Sequence, residues 1–346
     1  MNKKTVPAIF NVDRPGDFYL QLSLMSGLLS SGFFDGNNWR LWVSNTSQFL
    51  DLRTLLKAHD NMAVELLNAK EILEHKQKEN LYGGFTHFFR ECSVTKKKQS
   101  LIKKFARLGP TLAKMYGFLS LRFNRHKVIN ATYDFEYMFN LINRYPVNQV
   151  TKKPESFYVF ITLDIEKRRW LEQVEALTSA VELIKSKTNK SVVLVNHGMT
   201  QTINDKNQEY RAGQSQEEIN ILNEICTASG CEFINLFGSS LVEKLEYVHV
   251  CDLAVTTTYT GSMLPNAMAI PTISVGNYYL INTARKHGVL GINPNETVIS
   301  KRDVREVEYQ SSYVDKVYKT KSQLNSYSIP MDVFLSLVNK KLTVSS

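Results

Sequence analysis

Acidic residues are missing from one long stretch of this chain. Between Cys92 and Tyr133 there is no Asp or Glu, while ten Lys and Arg fall between Lys96 and Lys127. The formal net charge of +9 is therefore concentrated. Cysteine is scarce as well. Four residues (Cys92, Cys226, Cys231, Cys251) are too few and too unevenly spaced for a disulfide scaffold. Cys226 and Cys231 are close in sequence, but no matching His or Cys pair completes a zinc site, so free buried thiols are expected. No apolar run reaches the roughly 18–20 residues that cross a bilayer. The opening MNKKTVPAIFNVDRPGD lacks the long apolar region of a secretion signal, and a cytoplasmic protein is expected. Finally, no Asp-x-Asp pair occurs. Asp164-Ile165-Glu166 is the nearest imitation, and no metal or other cofactor is expected.

What is present has the makings of a globular α/β protein. Hydrophobic residues make up 43% of 346, enough for about two domains at roughly 150 residues each. The first half opens with an apolar run, Val6 to Val12, then Asp13-Arg14-Pro15-Gly16-Asp17, a helical pattern from Phe18 to Leu29, and a strand at Trp39 to Asn45. The polar stretch NQVTKKPES (148–156) is read as a linker, giving domains at 1–150 and 151–346. The second half alternates more clearly. Strands are expected at Phe157 to Leu163, Ser191 to Asn196, CEFINLF (231–237), DLAVTTT (252–258) and PTISVG (271–276), with helices between them. RRWLEQVEALTSAVELIKSK (168–187) is expected as one helix with Leu171, Val174 and Leu177 on its apolar side. SMLPNAMA (262–269) is expected as a short helix of small residues, and MDVFLSLVNKKL as a final helix packing back on the first domain. Strands interleaved with helices predict doubly wound parallel sheets, whose ligands sit at the carboxyl ends of strands.

Four places near such strand ends carry chemistry. Tyr259-Thr260-Gly261-Ser262 leads from a strand into a helix. There backbone N–H groups, close approach at Gly261 and the Thr260 and Ser262 hydroxyls suit a phosphate. A Thr or Ser at that position also caps a helix while binding nothing. Lys167, Arg168 and Arg169 follow the first strand of the second half and can neutralise a diphosphate, or form a solvated basic turn. Asp17 stands at a helix start, either as a cap or as a base for a hydroxyl proton. His197 follows a strand and can donate to a phosphate or sugar oxygen, or satisfy its own loop. In the basic stretch, apolar stripes (Leu101, Ile102, Phe105, Leu108; Leu112, Met115, Tyr116, Leu119) alternate with Lys103, Lys104 and Arg107. That pattern suits an anionic membrane surface or glycolipid acceptor, or two helices packed on their own domain. No nucleic-acid motif accompanies the charge, and no nucleic-acid partner is expected.

Together these segments resemble bacterial glycosyltransferases of the GT-B architecture, most closely the heptosyltransferase family of lipopolysaccharide core assembly. The resemblance rests on IFNVDRPGDFYLQLSLMSGL, KRRW at Lys167 to Trp170, INLFGSSLVEKL at Ile234 to Leu245, and CDLAVTTTYTGSMLPNAMAIPTISVG at Cys251 to Gly276. Tyr259 and Leu264 stand where that family carries an acid and a histidine. The last segment, with GNYY after it, is also similar to transferases of capsule and surface-polysaccharide assembly, His197-Gly198 standing for their His-Pro pair. The resemblance implies two Rossmann-like domains facing a central cleft. The first would bind the acceptor, and the second a nucleotide-sugar donor. Asp17 would be the general base. Lys167 and Arg169 would meet the donor diphosphate, and His197, Gly238, Thr258, Thr260, Gly261 and Ser262 would complete the donor site. It further implies metal-independent transfer, with inversion, to a lipid-linked or anionic saccharide at the inner membrane surface. A GT-B-fold nucleotide-sugar epimerase and a non-catalytic glycan- or membrane-binding protein remain open alternatives.

Overall fold

A computed structural model describes residues 5–10, 15–30, 32, 38–44, 49–68, 70–71, 74, 133–148, 150–165, 168–198, 208–308 and 324–344. It divides into two compact units, Met1–Met138 and Phe139–Ser346. The basic stretch with Lys103, Lys104 and Arg107 lies outside the described residues, as does Lys167.

In the first unit, β1 (Thr5–Phe10), β2 (Asn38–Ser44) and β3 (Met62–Leu67) form a parallel sheet in that order. The crossover from β1 to β2 contains α1 (Pro15–Ser30). Pro15 suits its first position, where a missing N–H breaks no helical bond. Phe18, Tyr19, Leu22 and Met25 are almost wholly buried, and so are Ser23 and Ser26. A helix buried around most of its circumference shows little amphipathic pattern. Phe18 stacks on Phe49 with ring centroids 5.3 Å apart. Asp134 fastens the start of α3 (Phe135–Asn143) to α1. Its carboxylate accepts the Tyr137 N–H at 2.8 Å and the Ser30 hydroxyl at 2.6 Å. Between them lies a one-turn helix, α2 (Leu52–Leu55), capped by Asp51.

The second unit holds a six-stranded parallel sheet of β4 (Ser156–Ile161), β5 (Ser191–Asn196), β6 (Glu232–Asn235), β7 (Leu253–Thr257), β8 (Thr272–Val275) and β9 (Glu296–Val298). The spatial order is β6-β5-β4-β7-β8-β9. Counted from β4, that is the 3-2-1-4-5-6 order of a doubly wound nucleotide-binding sheet. Its helices are α4 (Gln173–Thr188), α5 (Gln208–Ser229), α6 (Leu241–Val248), α7 (Met263–Ala267) and α8 (Tyr278–His287), followed by a final α9 (Met331–Val344). A small antiparallel pair, β10 (Arg305–Val307) and β11 (Ser326–Ser328), completes it.

Period-two alternation sends Val159, Ile161, Leu194 and Val255 to one face, where Leu177 and Val181 of α4, Leu222 of α5 and Phe334 of α9 close over them. The alternate residues Tyr158, Phe160, Val193 and Val195 are buried too. Parallel strands covered on both faces read as continuous apolar runs, which is why this half was legible as strands. The final helix α9 packs along α4.

Three local expectations are corrected. The helix expected from Arg168 begins at Gln173, because residues 169–171 are taken by tertiary pairing. Leu171 N–H donates to the Tyr327 carbonyl at 2.9 Å, Tyr327 N–H donates to Arg169 at 2.8 Å, and the Trp170 ring meets Phe334 edge-on at 5.0 Å. Leu171, expected on the apolar side, is 50% exposed. The helix expected over 262–269 is a 3-10 turn, Thr260–Ser262, running into only five α-helical residues. The sixth strand, β9, is three residues long, too short to show alternation.

Candidate functional site

From β4 the chain winds outward through β5 to β6, then crosses back to β7 on the other side of β4. At such a switch point the connections after the two central strands diverge and leave a crevice. A recess of about 200 Å³ lies there. Its walls are Thr162 to Ile165 and Arg168 after β4, His197 and Gly198 after β5, Thr257 at the end of β7 with Thr258, Thr260 and Gly261 after it, Gln214 and Glu218 from α5, and Leu280 from α8.

The turn after β7 is strained into place. Tyr259 has φ 80° and ψ −108°, a conformation that costs a bulky L-residue about 1–3 kcal/mol. Several bonds hold it there. The Tyr259 hydroxyl hydrogen-bonds His287 Nδ1 at 2.7 Å, and its carbonyl accepts the Ser262 N–H at 3.2 Å and hydroxyl at 3.1 Å. This swings Thr260 and Gly261 to the recess. Gly261 allows close approach, since a Cβ there would lie 3.1 Å from Thr162 Oγ1 and 3.2 Å from Thr257 Cβ, tight but not prohibitive contacts.

At the ends of β4 and β7 a chain of donors runs towards one carboxylate. The Thr257 N–H and the Thr162 hydroxyl tie the two strand ends together at 2.5 and 3.1 Å, the latter bond ending on Thr257 Oγ1. Thr257 Oγ1 donates in turn to Asp164 Oδ1 at 2.9 Å, and the buried Tyr327 hydroxyl donates to Asp164 Oδ2. Burial, with Asp164 beside it, holds the Tyr327 hydroxyl protonated far above the ordinary tyrosine range. Arg168 Nε stands 4.0 Å from Asp164 Oδ1. Acceptor-only carboxylate, hydroxyls and guanidinium thus meet on one wall.

The β5 wall is different. Glu218 of α5 on this wall and Lys244 of α6 behind it are almost fully buried. Burial pulls the Lys244 amine down to about 7 and pushes the Glu218 carboxyl up to about 7. Asn196 Nδ2 donates to Glu218 Oε2 at 2.7 Å, and Lys244 Nζ donates to the Gly198 carbonyl at 3.0 Å. His197 Nδ1 lies 2.6 Å from that same carbonyl, so this nitrogen carries the ring proton. Burial first, then the Lys244 charge, drops the His197 pKa to about 3, so the ring stays neutral. Gly198 has φ 55°, and a Cβ on it would fall 2.6 Å from Phe237 Cα.

Of the residues expected for a donor site, His197, Thr258, Thr260 and Gly261 line the recess. Thr258 spends its hydroxyl on the Val275 carbonyl at 2.9 Å, and the buried Ser262 spends its own on Tyr259. Arg169 is paired with Glu217 at 2.7 Å, and its neighbour Arg168 lines the recess instead. Gly238 adopts φ 80° in the turn before α6, away from the recess lining; that helix begins with a capping box between Ser240 and Glu243. Asp17 falls in the first turn of α1, and its side chain lies outside the described residues. Among the described residues, no group of three His, Cys, Asp or Glu is placed to hold a metal ion.

Asp164, Glu218 and Lys244 were not foreseen. For the last two a signal existed. Leu241, Lys244, Leu245 and Val248 share one helical stripe, as do Gln214, Glu218, Leu222 and Ile225. A charge on an apolar stripe is the mark of a buried polar site.

No family model matches the chain, and no curated protein sequence matches it. Among solved structures it is similar to ADP-heptose lipopolysaccharide heptosyltransferase II of E. coli, at 13% identity over 98% of each chain with a TM-score of 0.45. It is similar to a family 9 glycosyltransferase of Veillonella parvula, at 9% identity over 99% of this chain and 98% of the other, TM-score 0.46. It is also similar to the dodecameric iron-containing heptosyltransferase TibC of E. coli, crystallised with an ADP-heptose, at 10% identity over 99% and 78%, TM-score 0.46. These are the class of enzymes that the sequence resembles. At such identities and TM-scores the likeness carries no residue role over to this chain. Among the described residues, no helix is long and apolar enough to cross a membrane.

Proposed function

We propose that the chain is a glycosyltransferase that moves a sugar from a nucleotide-sugar donor to a hydroxyl of a bacterial surface glycan, lipopolysaccharide or capsule. One observation carries the reading. The recess at the β4–β7 switch point sets a guanidinium and hydroxyls beside carboxyl groups, Arg168 with Thr260 against Asp164 and Glu218. Carboxylates accept from ribose or sugar hydroxyls, while Arg168 and the N–H groups of the Thr260 turn donate to phosphate oxygens. A molecule bearing both kinds of group, a sugar joined to a diphosphate, satisfies both.

In this reading Arg168, Lys167 and the turn stabilise the charge that gathers on the departing nucleotide, without a metal. Asp17 takes the proton of the acceptor hydroxyl as it attacks, and a single displacement inverts the anomeric centre. Lys103, Lys104 and Arg107 face an anionic, lipid-linked acceptor at the inner membrane surface.

A panel of nucleotide sugars and free nucleotides, screened by thermal unfolding, tests the donor. Ligand at a hundredfold excess over its dissociation constant adds ~2.7 kcal/mol to the folded state, a visible shift. Stabilisation by one nucleotide family is the expected result, and no shift with any of them would remove the donor reading. Asp17→Asn is then expected to keep donor binding and lose about 10²–10⁴-fold in transfer. Undiminished transfer would leave Asp17 a structural residue of the first turn of α1.

A further inference from the structure

Cys226 lies in the last turn of α5, the helix whose earlier turns supply Gln214 and Glu218 to the recess, and Cys231 directly precedes β6. We propose that Cys226 and Cys231 are a vicinal dithiol site that reacts with low-molecular-weight disulfides and closes into an intrachain disulfide. The two sulfurs are 2.9 Å apart, well inside van der Waals contact, and need to approach by less than an ångström to reach the ~2.0 Å of a bond.

The turn between them is built rather than loose. Gly230 takes φ 64°, reversing the chain directly after the helix. Lys185 Nζ donates to the carbonyls of both Ser229 and Gly230 at 2.7 Å, which fixes the turn and brings a cation beside the thiols. Both cysteines are half-buried, neither sealed in the core nor fully exposed. The roles divide. Cys226 donates its S–H to Cys231, and with Ser229 and Lys185 this draws the Cys231 thiol down to about 7, while the same bond and burial push Cys226 up. Cys231 is the nucleophile and Cys226 the resolving thiol. Cys251 offers the contrast. It is buried, hydrogen-bonded to the Tyr247 carbonyl at 3.2 Å, and pushed up by burial.

The chemistry balances with the small disulfide RSSR as oxidant. Cys231 thiolate attacks one sulfur, and RS⁻ leaves, giving a mixed disulfide on Cys231. Cys226 then attacks the Cys231 sulfur and expels the second RS⁻. The S–S bond of RSSR is reduced by two electrons, and the two thiol protons end on the two RSH formed.

Exposing the full chain to oxidised glutathione, followed by alkylation in denaturant and mass mapping, tests this. The expected product is a Cys226–Cys231 disulfide with Cys251 alkylated, formed about tenfold or more faster than any adduct on Cys251. In Cys226→Ser the reaction is expected to stop at a glutathione adduct on Cys231. The wild-type mapping needs no variant to fold. Recovery of Cys226 and Cys231 as free thiols, or their reaction no faster than Cys251, overturns the proposal. So does a stable glutathione adduct on Cys231 in the wild-type chain, with Cys226 left free. None of these results bears on nucleotide-sugar binding at the recess.

Discussion

On the β4–β7 wall of the recess, Thr257 and Tyr327 donate to the Asp164 carboxylate while Arg168 stands 4.0 Å away. On the β5 side, Glu218 on the wall and Lys244 behind it are almost fully buried, and both titrate about 7. The first wall surrounds its charge with donors, so a ligand meets a fixed pattern of charge and hydroxyl. On the second, burial works against charge, and the Lys244 and His197 nitrogens go to a single carbonyl, that of Gly198. A change at Arg168 on the first wall should therefore appear mainly in binding, and a change at Gly198 or the buried Lys244 mainly in folding.

The largest effect is expected on the β5 wall. Gly198→Ala adds a Cβ 2.6 Å from Phe237 Cα at a position with φ 55°. Overpacking and a left-handed alanine together should cost about 3 kcal/mol or more, read as a lowered urea midpoint. A midpoint unchanged from wild type would break the comparison at its strongest point. Next comes Arg168→Ala on the opposite wall. Loss of a charge-assisted hydrogen bond to the donor diphosphate is worth about 1.5–3 kcal/mol, roughly ten- to a hundredfold in dissociation constant by calorimetry. Its folding stability should move much less.

Gly261→Ala sharpens the contrast. Its backbone does not need a positive φ, and the new Cβ meets Thr162 Oγ1 at 3.1 Å, a contact relieved by a small shift. Stability should fall by about 1 kcal/mol, well short of the Gly198 change, while donor affinity drops because the β4 and β7 ends no longer close. Denaturation and titration of the same variant separate the two.

The smallest effect at neutral pH is expected from Lys244→Met, and its signature is a slope. The folded pKa of Lys244, about 7, lies below its ordinary 10.5, so between those values the folded chain binds fewer protons than the unfolded chain and stability rises with pH. Glu218 is the reverse. Raised from 4.5 to about 7, it makes stability fall as pH climbs through that window. Lys244→Met should flatten the alkaline rise between about 7 and 10.5, and Glu218→Gln should remove the acidic-side fall. Urea midpoints measured against pH report both.

The two walls were also unequally legible in the sequence. The strand, turn and helix around Thr260 and Gly261 are contiguous, so local patterning located them; only the length of α7 was missed. Asp164 and Tyr327 are 163 residues apart, and nothing local pairs them. The same tertiary pairing through Tyr327 took Trp170 and Leu171 out of the expected helix. Lys244 and Glu218 stand beside Glu243, Glu246 and Glu217, and only their place on a helical stripe sets them apart. Their burial depends on helix phase, set for α6 by the Ser240 capping box. β4, β5, β7 and β8 were readable because doubly buried strands are apolar along most of their length, whereas the half-buried β3 and the short β9 were not read. The choice between Arg168 and Arg169 was not readable, since it turns on Glu217 of a different helix.

The most direct test is calorimetric titration of the nucleotide sugar that best stabilises the wild type, against wild type, Arg168→Ala and Lys244→Met. Binding at least roughly tenfold weaker is expected for Arg168→Ala, and near wild-type binding for Lys244→Met. Equal affinity for wild type and Arg168→Ala, or no nucleotide sugar bound by the wild type, would contradict the donor reading.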